Sequence, residues 1–348
     1  MRFSAADAIL QDALLVRFTA AVLRVELAGR LLFERAYGAV DDAPRPQGID
    51  AGTRFDLASL TKIFASTAAL RAVVAKKVSL DIPLARSVVP EWQGTRHEPI
   101  SLRMLLAHTS GMQSGADYRT LLGLDVERFA ATSPLVAVPG ERVLYSDLGF
   151  IALGTTIERL YRRSLASVLH DTSRAAGATT AGFRPPVRRA REIPATEEDS
   201  WRGRVRGLVH DEKAYLMGGV AAHAGLFGTA LDVASLAGSY LGAINGRNDA
   251  HGFPASIARE SISEAAFDPV LRRGLGWALK TSDENSCGRR MGPNTFGHTG
   301  FTGTCMWVDP ERDLSIVLLT NAVYYGRNDL RDLRAAVCDA VVETVDAC

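Results

Sequence analysis

Apolar and polar positions alternate along residues 19 to 37, TAAVLRVELAGRLLFERAY, with a break at Ala28-Gly29. A period of two with small residues at the break predicts two strands joined by a tight turn. The stretch TGTCMWVDPERDLSIVLLTN predicts a second hairpin that turns between Pro310 and Asp313. Between these hairpins the period becomes helical. From Ser59 to about Val78, residues Ile63, Phe64, Ala68, Leu70, Val73 and Val74 recur at helix spacing. SLRMLLAHTSGM predicts a helix from Ser101 to Gly111, with His108 near its C-terminal end facing the helix dipole. SDLGFIALGTTIERLYRRS predicts a long amphipathic helix, and a run of small residues from Gly218 to Gly228 leads into another. A closing helix is expected from Asp329 to Asp346, and the polar, proline-containing segment 183–206 is expected to be a long surface loop.

Strand pairs at both ends and helices between them predict an α+β fold, in which the terminal strands form one antiparallel sheet flanked by helices. Residues 1–80 and 207–348 are assigned to a discontinuous sheet domain, and 81–206 to a mostly helical domain. A site is expected in the cleft between them.

The chain of 348 residues is long enough to bury a core without metals or disulfides. Its net charge of +1 gives no reason to expect nucleic acid or a membrane as partner. No stretch approaches the ~18 apolar residues that a spanning helix needs. Asp7, Asp12 and Arg17 break every candidate signal-peptide window, so a cytoplasmic location is expected, with export the alternative if an N-terminal signal has been trimmed. Cys287, Cys305, Cys338 and Cys348 show no ligand or framework spacing and are expected to be unpaired thiols. No cofactor or metal is expected, and no HExxH, C-x-x-C, P-loop or G-x-S-x-G pattern occurs. The expected partner is a small-molecule substrate; the oligomeric state is left open.

Three segments carry candidate chemistry. Ser59 and Lys62 stand one turn apart at a helix start, where a desolvated amine can act as base toward a hydroxyl. Taken alone, they read more readily as a helix cap and a surface cation. Tyr145 and Asp147, in PGERVLYSDLGF, flank a helix start, and a phenol near a lysine can pass a proton to a leaving group; a core tyrosine beside a helix cap is the other reading. His298-Thr299-Gly300 lies on an expected strand, with hydrogen-bonding groups for a substrate and a glycine that permits close approach.

In that order, and with FDLASLTK, LLAHTSGM and GHTGFTGT around them, the three segments resemble the penicillin-recognising serine hydrolases. That group includes class C β-lactamases, D-Ala-D-Ala carboxypeptidases and related esterases. VHDEKAYLMGGVAAHAGLFGTALDVASL most resembles the penicillin-binding protein 4B type. The resemblance spans roughly residues 18 to 345. It implies the β-lactamase/transpeptidase-like fold and a two-step acyl transfer in which Ser59 attacks a carbonyl while Lys62 and Tyr145 share the proton. It also implies substrate binding by Asp147, His298, Thr299 and Gly300, and an oxyanion hole from the backbone N–H groups of Ser59 and Phe301.

Two positions depart from the family pattern. Asp147 stands where asparagine is common, and a carboxylate there favours charged Lys62, a poorer base. His298 stands where many relatives carry lysine, which weakens the hold on a substrate carboxylate. Both changes argue against an efficient β-lactamase and fit a neutral ester, an amide or a peptide without a free terminal carboxylate, so a small ester or a D-amino-acid-type amide or peptide is the expected substrate. A β-lactamase or carboxypeptidase is the alternative, and a binding scaffold that does not turn over is a third reading. His210, Asp211 and His223 are expected to line the substrate side of the cleft, to orient the His298 strand from a second layer, or to be buried for structural reasons.

Overall fold

The computed structural model describes residues 3–247, 253–270 and 272–347, so Cys348 lies outside the described residues. Its main sheet has six strands: β1 (Ala20–Leu27), β2 (Arg30–Gly38), β3 (Ala278–Leu279), β4 (Phe296–Thr299), β5 (Cys305–Asp309) and β6 (Leu314–Thr320). Their spatial order is β2-β1-β6-β5-β4-β3, with every neighbour antiparallel. The first hairpin turns at Ala28 and Gly29, where φ is +50° and +72°, the left-handed pair that a two-residue hairpin turn requires.

Alternation along each strand sends side chains to two separate cores. Ala20 and Val22 of β1, Met306 and Val308 of β5, and Val317 and Leu319 of β6 join the larger core. Ala21, Leu23, Val25, Cys305, Trp307, Ile316 and Leu318 face the other way, into a core closed by the Ser4–Ala13 and Arg331–Asp346 helices. The two apolar faces explain why these strands read as nearly continuous hydrophobic runs. In the larger core the Thr61–Val74 helix is buried over most of its surface and packs against the Asp147–Tyr161 and Leu165–Ala175 helices. Among the described residues, no helix is long and apolar enough to cross a membrane.

Two sequence expectations change in detail. The helix expected to reach Gly111 spans only Leu102–Leu106. His108 takes φ +58°, while Thr109 N–H bonds Met104 O at 2.8 Å and His108 N–H bonds Leu105 O at 3.3 Å. This six-to-one and five-to-two pairing is a Schellman stop, here with histidine at the left-handed position usually held by glycine. The 183–206 segment is not a plain surface loop. It contains a 3₁₀ turn at Val187–Glu192 and a small hairpin pairing Glu198–Asp199 with Gly203–Arg204. Ile193, Ala195 and Thr196 are buried, and Asn321 Nδ2 donates to Ala195 O at 2.7 Å.

Candidate active site

Ser59 lies in a single 3₁₀ turn, Ala58–Leu60, that runs directly into the Thr61–Val74 helix. Ala58 has φ +46°, a conformation that costs a residue with a Cβ about 1–2 kcal/mol. The surrounding bonds hold it there. Ala58 N–H donates to Asp56 Oδ1 at 2.9 Å, and His210 N–H donates to Asp56 Oδ2 at 2.6 Å. Burial pushes the Asp56 carboxyl above its ordinary range, although both amide donors oppose the shift. One turn on, the wholly buried Lys62 donates from Nζ to Ser59 Oγ at 3.0 Å and to His223 O at 3.1 Å. Its third partner is Asp147 Oδ1 at 2.8 Å. Burial alone would depress the ammonium, but Asp147 and Tyr145 outweigh it, and Lys62 stands above its ordinary value. Asp147 moves the opposite way: burial would raise it, and Lys62 holds it below.

The end of β4 is fastened to the turn that carries Ser59. Thr302 Oγ1 donates to Asp56 O at 2.9 Å and Thr304 Oγ1 to Leu57 O at 3.3 Å. Gly300 is required by this approach, since a Cβ there would collide with Thr304 Oγ1 and stand 2.8 Å from Leu57 O. Among the described residues, neither the Ser59 nor the Phe301 backbone N–H donates to a protein acceptor. The Phe301 ring is held between the His210 imidazole at 5.7 Å and the Arg327 guanidinium at 5.6 Å. Glu197 bonds both partners, and its hydrogen bond to His210 is the chief reason its carboxyl is pulled down to about 2.

Tyr145 sits between cations and imidazoles. Its ring lies 4.8 Å from Lys62 Nζ and 5.2 Å from the Arg273 guanidinium, with His108 at 4.6 Å and His298 at 6.1 Å. His108 does not meet a helix dipole as a cation: its Nδ1 accepts the Ser146 N–H at 3.1 Å, which fixes a neutral ring. Burial, Arg273 and Lys62 together hold His108 well below its ordinary value. The same three causes take His298 down to about 3. The His298 ring is buried, and its Nδ1 donates to Thr299 O at 2.7 Å.

A cavity of about 510 Å³ opens over these groups and is lined by Ser59, Tyr145, Thr299, Gly300 and Phe301. Arg273, Arg327 and Arg334 also line it, none of them singled out from sequence. Arg273 and Arg334 are buried, and each has an Nε without a partner among the described residues. Burial lowers Arg273 to about 10, so it is charged at neutral pH. Arg334 donates to Gly300 O at 2.8 Å, and Arg327 is paired with Glu197 and Glu212. The rings of His298, His210 and His223 do not line this cavity, and neither does Asp211.

Behind Lys62, Asp147 Oδ2 meets Lys213 Nζ at 3.3 Å, and Lys213 meets Asp211 Oδ2 at 3.1 Å. Asp211 Oδ1 meets His223 Nε2 at 2.8 Å. The ligand atoms of Asp147, Asp211 and His223 lie within 4.8 Å of one another, a spacing that one ion could bridge. Two ammonium groups already occupy those carboxylates, however, and a dication would be set against both of them. We read the cluster as ion pairs. Sequence reasoning missed Lys213, although it stands beside the His210-Asp211 pair.

Taken together, a hydroxyl bonded to a buried amine, two free amides and a roomy cavity can support nucleophilic attack on a carbonyl. Comparison with known proteins agrees. Residues 12–340 match the family model described as Beta-lactamase. A putative D-alanyl-D-alanine carboxypeptidase of Escherichia coli is 30% identical over 336 residues, covering 84% of this chain and 76% of the relative. An N-acetylmuramyl-L-alanine amidase of Bacillus subtilis is 30% identical over 358 residues, covering 90% and 80%. Among solved structures, EstCE1, a hydrolase with promiscuous acyltransferase activity, superposes with a TM-score of 0.79 at 22% identity, covering 98% of each chain.

Proposed function

The chain belongs to the beta-lactamase family and is a serine hydrolase, and we propose that it works through an acyl-enzyme on Ser59, formed from a small ester or a D-amino-acid-type amide. The observation that carries this reading is the 3.0 Å bond between Ser59 Oγ and a fully buried Lys62, opening on the arginine-lined cavity. In the first step Oγ bonds the carbonyl carbon as its proton passes to neutral Lys62. The oxyanion is received by the Ser59 and Phe301 N–H groups. The bond to the leaving group then breaks, and that group takes a proton by way of Tyr145. Water repeats the sequence on the ester and frees Ser59.

The arginines favour one refinement. Neutral His298 gives little attraction for a carboxylate, but Arg273 brings a buried charge to the wall of the same cavity. This supports substrates that carry a carboxylate near the scissile bond, as a D-Ala-D-Ala peptide does, over wholly neutral esters. A cytoplasmic location is part of the reading, and it is supported by the free, buried thiols of Cys287, Cys305 and Cys338.

The test is a panel of an acylated D-Ala-D-Ala peptide, a p-nitrophenyl ester and a chromogenic β-lactam, run on the wild-type protein and on Arg273→Met. Arg273→Met is expected to raise KM for the peptide about tenfold more than for the ester, the scale of one charge-assisted hydrogen bond. Equal effects on both substrates would remove the case for a carboxylate.

A further inference from the structure

The chemistry proposed above requires Lys62 to give up a proton, yet Asp147 holds that proton in place. Lys213 stands on the far oxygen of the same carboxylate. Together the groups close a ring: Lys62 to Asp147 at 2.8 Å, Asp147 to Lys213 at 3.3 Å, Lys213 to Asp211 at 3.1 Å, and Asp211 to His223 at 2.8 Å. The His223 main-chain oxygen returns to Lys62 at 3.1 Å. Lys213 reaches in from the short Glu212–Leu216 helix, which Asp211 caps through a 2.8 Å bond to Ala214 N–H. Its side chain is only 11% exposed.

Resting on the reading of Lys62 as the base for Ser59, we propose that Lys213 is a positioning residue that divides the Asp147 charge between two ammonium groups, so that Lys62 releases its proton more readily than it would beside an unshared carboxylate. Two effects act in the same direction. Lys213 neutralises part of the charge that attracts the Lys62 proton, and its own positive charge repels charged Lys62.

The remaining neighbours do not supply this effect. From the segment before the Asp147–Tyr161 helix comes Tyr145, and from the β3 side comes Arg273, a cation on the Tyr145 ring that a change at position 213 leaves in place. His108 and, from β4, His298 are held neutral by burial. Asp211 is held well below its ordinary value by His223 and Lys213 against the effect of burial, so it is an anion that needs Lys213 as well. If Lys213 served only to close the ring, its loss would loosen the fold and lower activity equally at every pH.

The two roles separate in a titration. The chain has only five lysines, so selective 13C labelling at lysine Cε gives a spectrum in which Lys62 is assignable by its loss in Lys62→Met. In Lys213→Met the Lys62 midpoint is expected to rise by about one pH unit, and Lys213→Arg should restore it. The acid limb of kcat/KM for a p-nitrophenyl ester should move with it, so that the rate below the limb falls about tenfold while the alkaline plateau holds. A midpoint that stays put or falls overturns the proposal, as does a uniform loss of rate with an unmoved midpoint. If the midpoint rises but the rate profile does not follow, Lys213 does tune Lys62, and it is the role of Lys62 as base that fails.

Discussion

Ser59→Ala is expected to lower ester turnover by a factor of about 10⁴ or more, the loss seen when a nucleophile that acts as one unit with its base is removed. The fold should survive the change. The Ser59 hydroxyl has one hydrogen bond among the described residues, from Lys62, which keeps its bonds to His223 O and Asp147. One such bond is worth about 1 kcal/mol net, so melting should shift by only a few degrees. Steady-state kinetics beside a thermal melt separate the two effects. Activity retained within about tenfold would place the nucleophile elsewhere.

Asp147→Asn is expected to act in the opposite direction. The carboxylate favours charged Lys62, and only neutral Lys62 can accept the Ser59 proton, so activity should rise with pH through the Lys62 titration. Removing an opposite charge at this range lowers an ammonium's proton affinity by about one to three units. The acid limb should therefore move to lower pH, and at neutral pH the variant should be about ten- to a thousandfold faster, with an unchanged plateau. A pH–rate profile on a neutral ester reads this directly. A loss at every pH would mean that Asp147 itself takes up a proton during the reaction.

Much of the frame was legible because it depends on local pattern. The Ala20–Leu27 and Arg30–Gly38 hairpin alternates cleanly and breaks at Ala28-Gly29, and terminal strands separated by helices leave few ways to form one sheet. Ser59, Lys62, Tyr145 and Thr299–Gly300 meet at one cavity wall or bond one another. His108 misled because it continues an apolar helical pattern, and nothing in SLRMLLAHTSGM marks a histidine that adopts a positive φ. The 183–206 segment looked solvated because its polar residues hide Ala195, which is buried and bonded by Asn321, more than a hundred positions away. Arg273, Arg327 and Arg334 cannot be told from the other arginines by spacing, since their meaning comes from the cavity they share. Lys213 is a similar case: a charge in the sequence does not reveal its partners, and here one of the two is a carboxylate on a distant helix.

The most direct measurement is peptide mass spectrometry of the protein quenched during turnover of a p-nitrophenyl ester or a slowly released β-lactam. Trypsin cleaves after Arg54 and Lys62, releasing FDLASLTK, which contains Ser59. The acyl mass is expected on that peptide at Ser59, absent from Ser59→Ala and lost on standing as water frees the enzyme. Turnover that proceeds with no acyl group on this peptide, or with the group on another residue, would contradict the account.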